Sequence, residues 1–283
     1  MAQRTVTAGT VALCMRGGLW YNRRMLLRQH PARPGGPIYF LSDAHIGTGT
    51  PEVEADKENR LLALLERIDA EAAALFILGD LFDFWFEYRH AIPRRGFNVL
   101  ARLQRMTQGG LPVDFLGGNH DFWVGDFLTH QLGIATHAEP IAVEAQGRHL
   151  FLAHGDGLAP GDLGYRLIRR IFRNPLAIAA YRALHPDFGI PLATTSSRTS
   201  RHYTQETPVD GPELWRTIAE PRFAAGADAV LIGHFHRPLH LQSAGRDFII
   251  NGDWMTHWSY SVLEKGRLEL RDWNRAPFPI THL

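Results

Sequence analysis

Five short apolar runs, each breaking off at a cluster of Asp, Asn or His, set the tightest limit on what this chain can become. They are IYFLS (38–42), ALFILG (74–79), PVDFLG (112–117), HLFLA (149–153) and AVLIG (229–233). Short apolar runs that end in Gly, Asp, Asn or His read as strands. Between the first two, EADKENRLLALLERIDAEA (54–72) repeats Leu and Ile at helical spacing. GFNVLARLQRMTQGG (96–110) ends in the glycines that suit a helix terminus. Strand, polar loop, helix, strand is the α/β rhythm. Further on, residues 141–153, 239–251 and 259–273 each bend around a Gly-containing turn and read as hairpins. Strands with helices on both outer faces predict a layered α/β/β/α sandwich. Residues 158–220 interrupt it with helical and loop-like text and no strand, which reads as an inserted helical cap.

Composition limits the function classes. With 283 residues, 45% apolar and 21% charged, the chain is globular, and no window approaches the ~20 consecutive apolar residues of a membrane-spanning helix. A lone cysteine, Cys14, cannot form an internal disulfide and fits a reducing compartment, so the expected location is cytoplasmic. Residues 1–36 hold six Arg and no acid, and end in a Pro/Gly cluster. They read as a loosely ordered extension, with Met15 and Met25 as alternative starts, ahead of one domain over 37–283. That domain carries 24 basic against 29 acidic residues, a net −5, and lacks the basic field that non-specific nucleic-acid binding uses.

The chemistry sits where the runs stop. SDAHIG offers Asp43 and His45, GDLFD Asp80 and Asp83, GGNHD Asn119, His120 and Asp121, AHGDG His154 and Asp156, and GHFHRP His234 and His236. Sheets of this class place their ligands in the crevice beyond the carboxyl ends of their strands. Of these, two carboxylates, one amide oxygen and four imidazoles would make the mixed oxygen and nitrogen set that suits Mn²⁺, Fe²⁺ or Zn²⁺ rather than Ca²⁺ or Mg²⁺. On extended backbone, residues i and i+2 point the same way, so Asp43 with His45, and His234 with His236, can each aim two ligands into one pocket. Asp80, just after a glycine, is the natural carboxylate to bridge two ions. A single His at a strand end is ordinarily a hydrogen-bonded loop residue; five such clusters in order are not an ordinary occurrence.

The order D-x-H, GDxxD, GNHD, H, GHxH resembles the calcineurin-like metallophosphoesterase superfamily across about residues 38–260. The phrases GDLFDFWFEYR, GGNHDFW, AHGDGLAPGD and NGDWMTHWSY are similar to the UDP-2,3-diacylglucosamine hydrolases of lipid A biosynthesis. The resemblance implies two divalent ions, most simply Mn²⁺, one held by Asp43, His45, Asp80 and His236 and the other by Asp80, Asn119, His154 and His234. It implies water attack on phosphorus with no enzyme nucleophile. His120 would stabilise the developing charge or protonate the leaving oxygen, with Asp121 either orienting it or capping a helix. Asp83 and Asp156 are expected to fix ligand imidazoles, as Asp253 and His257 could also do unless they form an ordinary polar turn. One departure stands out: the best-known branch of these hydrolases has Arg where this chain has His120.

The cap adds a substrate class. Placed on a helical wheel, LGYRLIRRIFR (163–173) separates Leu163, Tyr165, Leu167, Ile168, Ile171 and Phe172 from four Arg. This fits an interfacial helix at anionic lipid, an acyl-pocket wall, or simply a core-packed face backed by a solvated one. PLAIAAYRALHPDFGIPLA (175–193) is more apolar still. Asp162 matches a substrate-contacting aspartate of the resembled hydrolases, and Arg198 and Arg201 are candidate phosphate or uridine contacts, beside Asn119, His120 and His234. The expectation is an enzyme at the cytoplasmic face of the inner membrane, docked through its cap, that hydrolyses a nucleotide-activated glycolipid and needs no obligate protein partner. Its rivals are a phosphoesterase for a soluble substrate and a non-catalytic scaffold of the same fold.

Overall fold

The computed structural model describes residues 28–29, 33, 35–158, 170–171, 173–194 and 209–283. Its strands are β1 (Arg28–Gln29), β2 (Ile38–Leu41), β3 (Ala74–Ile77), β4 (Val113–Leu116), β5 (Ala135–His137), β6 (Ile141–Ala145) and β7 (Arg148–Ala153). They continue with β8 (Ala229–Ile232), β9 (Pro238–Ser243), β10 (Arg246–Asn251), β11 (Tyr260–Glu264), β12 (Arg267–Arg271) and β13 (Ile280–His282). The helices are α1 (Pro51–Glu71), α2 (Phe97–Gln108), the single turn α3 (Phe127–His130), α4 (Pro175–Arg182) and α5 (186–194). A composite α6 runs through Gly211–Leu214, a π-helical turn Trp215–Ala219, and Glu220–Ala224.

Two mixed sheets result, in the orders β12-β11-β2-β3-β4-β5 and β1-β6-β7-β8-β10-β9-β13. Strands β2 to β5 run parallel, as do β7, β8 and β10. Successive side chains of a strand face opposite ways, and this alternation builds the layers. Tyr39 and Leu41 of β2 pack with Leu61, Leu64, Leu65 and Ile68 of α1 and with α2, while Ile38 and Phe40 face the other sheet. There they meet Leu150 and Leu152 of β7, Leu231 of β8 and Ile249 of β10, and the opposite face of the same strands (Phe151, Val230, Phe248) is covered by Leu214, Trp215, Ile218 and Phe223 of α6. The molecule is the expected four-layer α/β/β/α sandwich.

The three hairpins close through two-residue turns, Gln146-Gly147, Ala244-Gly245 and Lys265-Gly266, and both residues of each have positive φ. This is the mirror-image turn whose twist matches that of the flanking strands. Two boundaries differ from expectation. Gly211–Ala224 is the sandwich's own outer layer, so the cap ends before it rather than near residue 220; its apolar side is spent on the sheet. The end of the 1–36 extension is tied to the body: β1 pairs with β6, the Arg33 amide donates to the Ala73 carbonyl (2.9 Å), and its guanidinium donates to the carbonyls of Asp69 (2.9 Å) and Gly109 (2.7 Å). Most of the predicted 163–173 helix lies outside the described residues. Helices α4 and α5 expose Leu176, Phe188 and Leu192, and the link between them exposes Leu184, as the adjoining Ile171 is exposed.

Candidate metal centre

The polar clusters that end β2, β3, β4, β7 and β8 converge. Donor atoms of Asp43, His45, Asp80 and His236 all lie within 4.8 Å of one another, as do those of His45, Asp83 and His120. The His45 and His236 Nε2 atoms are 3.1 Å apart, and His236 Nε2 is 3.3 Å from Asp43 Oδ1. Asp80 Oδ2 lies 3.3 Å from His154 Nε2, 3.6 Å from His45 Nε2 and 3.9 Å from His120 Nε2. Asn119 Oδ1 sits between His154 Nε2 (2.9 Å) and His234 Nδ1 (3.0 Å). Asp80 is thus the carboxylate common to two groups of donors, one with Asp43, His45 and His236, the other with Asn119, His154 and His234.

The D-x-H and H-x-H pairs aim into one place, though not along extended backbone. Asp43, His45, Asp80, His234 and His236 all have positive φ, between 43° and 72°. L residues rarely adopt that region, and clusters of such residues mark functional sites. Each turn is clamped by its neighbour: the Asp43 amide donates to the Gly79 carbonyl (3.1 Å), the His45 amide to that of Asp80 (3.0 Å), and the His234 amide to the Asp43 carboxylate (3.0 Å). Glycines let these loops touch. A Cβ at Gly79 would lie 2.6 Å from His154 Nδ1, and Cβ atoms at Gly118 and Gly233 would strike the carboxylates of Asp80 and Asp43.

Carbonyl partners fix two ring tautomers, because a carbonyl only accepts. His154 Nδ1 donates to the Leu78 carbonyl (2.8 Å) and His120 Nδ1 to that of Asp83 (3.1 Å), so the Nε2 of each faces the cluster. The Asp83 carboxylate lies 3.8 Å from both His45 Nδ1 and His120 Nδ1. Asp156 is buried and acts on His154 and His234 through charge. Asp121 departs from expectation. Its carboxylate accepts from the backbone amides of Gly118 (2.9 Å), Asp80 (3.0 Å) and Phe82 (3.2 Å), so it neither orients the His120 ring nor caps a helix; it locks the β3 and β4 loops together. Asp253 Oδ1 likewise takes the amides of Met255, Thr256 and His257, making a polar turn, while Oδ2 lies 3.3 Å from His257 Nδ1 and the next amide, Trp254, donates to the Asp43 carbonyl (3.1 Å). Asp162, Arg198 and Arg201 lie outside the described residues.

The electrostatics suit a cation. Asp43, Asp80, Asp83, Asp121, Asp156 and Asp253 are all buried in or beside the cluster, and Asp80 Oδ2 accepts no hydrogen bond. Burial disfavours the Asp80 charge, yet His154, His120 and His45 outweigh it and hold its pKa well below the usual carboxylate range. Burial likewise opposes protonation of His154, but Asp80, Asp43 and Asp156 push it up to about 10, whereas burial and His154 together pull His234 down to about 4. Burial beside Asp80 pushes Asp121 up to about 7. The carboxylates gather positive charge at the place where all the donors point, and the donor set fits a borderline divalent metal ion.

Sequence reading missed one residue at the margin of this site. Lys57 is buried on the core-facing side of α1, in line with Leu61, Leu64, Leu65 and Ile68. A charged residue in the apolar stripe of an amphipathic helix was the available signal.

The chain has relatives that span three quarters or more of it. It is 36% identical over 253 residues to UDP-2,3-diacylglucosamine hydrolase of Porphyromonas gingivalis, covering 82% of this chain and 96% of that protein. It is 31% identical to the protein of the same name from Nitrosococcus oceani (76% and 86% covered) and 30% identical to that from Stutzerimonas stutzeri (86% and 100% covered). The sequence profile described as calcineurin-like phosphoesterase matches residues 36–240, a stretch that carries every side chain of the cluster. With the sandwich, the convergent donors and this match in agreement, the chain belongs to the calcineurin-like phosphoesterase family and is a metal-dependent hydrolase.

Proposed function

We propose that the chain hydrolyses the pyrophosphate of UDP-2,3-diacylglucosamine, with water attacking the α-phosphate to release UMP and 2,3-diacylglucosamine 1-phosphate. The convergence of two donor groups on Asp80 carries this reading, and the relatives' name supplies the substrate. Asp43, His45, Asp80 and His236 would hold one divalent ion, and Asp80, Asn119, His154 and His234 the other; Mn²⁺ would suit this mixture of carboxylate, amide and imidazole. When bound, such a pair supplies an ionised water at neutral pH and positive charge for the phosphoryl oxygens.

The protein's own groups complete the site. His120 presents Nε2 to the cluster with its Nδ1 proton committed to the Asp83 carbonyl, so it would give a proton to the departing oxygen only as the imidazolium, a form that burial disfavours by lowering its pKa. Water's oxygen bonds to the α-phosphorus, the bond from that phosphorus to the bridging oxygen breaks, and the sugar phosphate leaves with that oxygen. Asp162, Arg198 and Arg201 are assigned to substrate contacts on the resemblance alone.

The cap supports a lipid substrate. Leu176, Phe188 and Leu192 are 80%, 76% and 64% exposed, and the nearby loop 88–96 adds Arg89, Arg94 and Arg95, followed by the 70% exposed Phe97 at the start of α2. Tyr88 of that loop packs on Tyr181 of α4, which joins the two surfaces. Apolar side chains beside Arg suit the anionic cytoplasmic face of the inner membrane, on which the enzyme would sit peripherally.

The test is UMP release from UDP-2,3-diacylglucosamine in detergent micelles with Mn²⁺, beside a generic aryl phosphodiester. Release that falls by about 10²- to 10⁴-fold in Asn119→Ala and His120→Ala is the expected outcome. Turnover of the aryl ester without UMP would discard the lipid substrate, and silence on both with metal bound would leave a binding scaffold.

A further inference from the structure

We infer that the buried Lys57 and the half-buried Glu54 of α1 form a positioning pair that holds His45 in its ligand conformation. The Lys57 ammonium, 2% exposed, donates to the His45 carbonyl (2.6 Å) and to Thr48 Oγ1 (3.1 Å), and lies 2.7 Å from Glu54 Oε1. The Glu54 carboxylate accepts from the amides of Gly47 (2.6 Å) and Gly49 (2.7 Å) and from the Thr48 hydroxyl (3.3 Å). Together the two side chains engage the backbone of residues 45, 47 and 49 from the helix side. On the opposite side, the His45 and Ile46 amides donate to the carbonyls of Asp80 and Leu81 (both 3.0 Å). The loop between needs such a brace, since His45 stands at φ 43° and Gly47 at φ 109°.

A lysine buried in the apolar stripe of a helix is costly, and it persists where its charge is paired and its donors are used. Here the His45 carbonyl, Thr48 and Glu54 all lie in or beside the one loop that carries His45. An Ala or Leu at position 57 would serve the α1 core as well, so core packing does not explain the lysine. The pair touches neither substrate nor reacting atoms: it acts through the His45 backbone, in the way that groups behind a ligand set its orientation.

This inference rests on His45 being a ligand of one ion, and it is tested first by metal uptake, a measurement that needs no substrate. Full-length protein is stripped with chelator and titrated calorimetrically with Mn²⁺ as wild type, Lys57→Met, Glu54→Gln and Leu61→Ala. Leu61→Ala makes a hole on the same face of α1 while leaving the Lys57 and Glu54 side chains in place, and reports general loosening. In Lys57→Met, affinity at one of two sites should fall about 10- to 100-fold while the other changes little. Glu54→Gln, which keeps shape and loses charge, should move the same site in the same direction and stands in if Lys57→Met fails to fold. On the aryl phosphodiester, kcat should fall with KM nearly unchanged. Unaltered affinity in the folded Lys57 and Glu54 variants, or an equal loss in Leu61→Ala, overturns the pair's role. Wild-type protein that takes up no Mn²⁺ overturns the metal reading itself, an outcome distinct from failure on the lipid substrate.

Discussion

Asp43, His45, Asp80, His234 and His236 stand on left-handed backbone, a conformation that costs an L residue roughly 1 to 2 kcal/mol. The protein keeps it at five donors because the glycines beside them leave room for the loops to lean on one another. Gly118 is the sharpest case: its Cα faces the Asp80 carboxylate, and an added Cβ would also lie 2.6 Å from the Asp80 amide. Gly118→Ala is therefore expected to fold, to bind Mn²⁺ at least about tenfold more weakly and to lose most of its activity, as titration calorimetry and turnover would show. At this scale the identities of the donors are legible in the sequence, because D-x-H, GDxxD, GNHD and GHxH are local words. Their backbone conformation is not, since it is imposed by clamps from other loops; nor is the part played by Asp121, whose partners include Asp80 and Phe82, some forty positions upstream.

Elements follow the same division between local and distant causes. The buried strands, both long body helices and the three hairpins are readable from periodicity and turn chemistry, whereas β5 and β13 are not: they are three residues long, exposed or half-exposed, and owe their form to pairing with β4 and β9. The cap boundary was misplaced for a related reason, since only contact with the sheet shows that α6 belongs to the body. Of the hairpin turns, Ala244-Gly245 alone places an alanine at positive φ, so Ala244→Gly should raise stability by about 1 kcal/mol in urea unfolding, with the same slope. The β9–β10 hairpin also carries a buried carboxylate, Asp247, 2.7 Å from Arg148 Nη1 and 2.8 Å from His240 Nε2. Burial works against its charge, but His240 and Arg148 lower its pKa below the usual value. A carboxyl depressed in the folded state contributes stability that is present above its unfolded pKa and disappears as pH falls through its folded one. Asp247→Asn should accordingly cost about 3 kcal/mol at pH 7 and less at pH 3, flattening the acid side of the stability profile.

Across the whole molecule, the cluster draws Asp43, Asp80 and Asn119 from the loops of one sheet and His154, His234 and His236 from those of the other. An ion bound there favours the docked sandwich over the unfolded chain by mass action, about 4 kcal/mol at a thousandfold excess over its dissociation constant. Chelator should lower the melting temperature by roughly 10 °C. The cap makes a separate prediction: the triple change of Leu176, Phe188 and Leu192 to Glu should weaken sedimentation with anionic vesicles at least about tenfold while turnover of the soluble aryl ester is kept. The seam between the sheets has a further consequence in time. Asp43 and His234, like His45 and His236, are 191 positions apart in the chain. A ribosome that has made the first sheet's parallel strands has made only half of the cradle, and no nascent chain short of residue 236 can close it. Completion of the full donor set is therefore one of the last events in the making of the protein, and a product that stops before residue 234 lacks both imidazoles of GHxH.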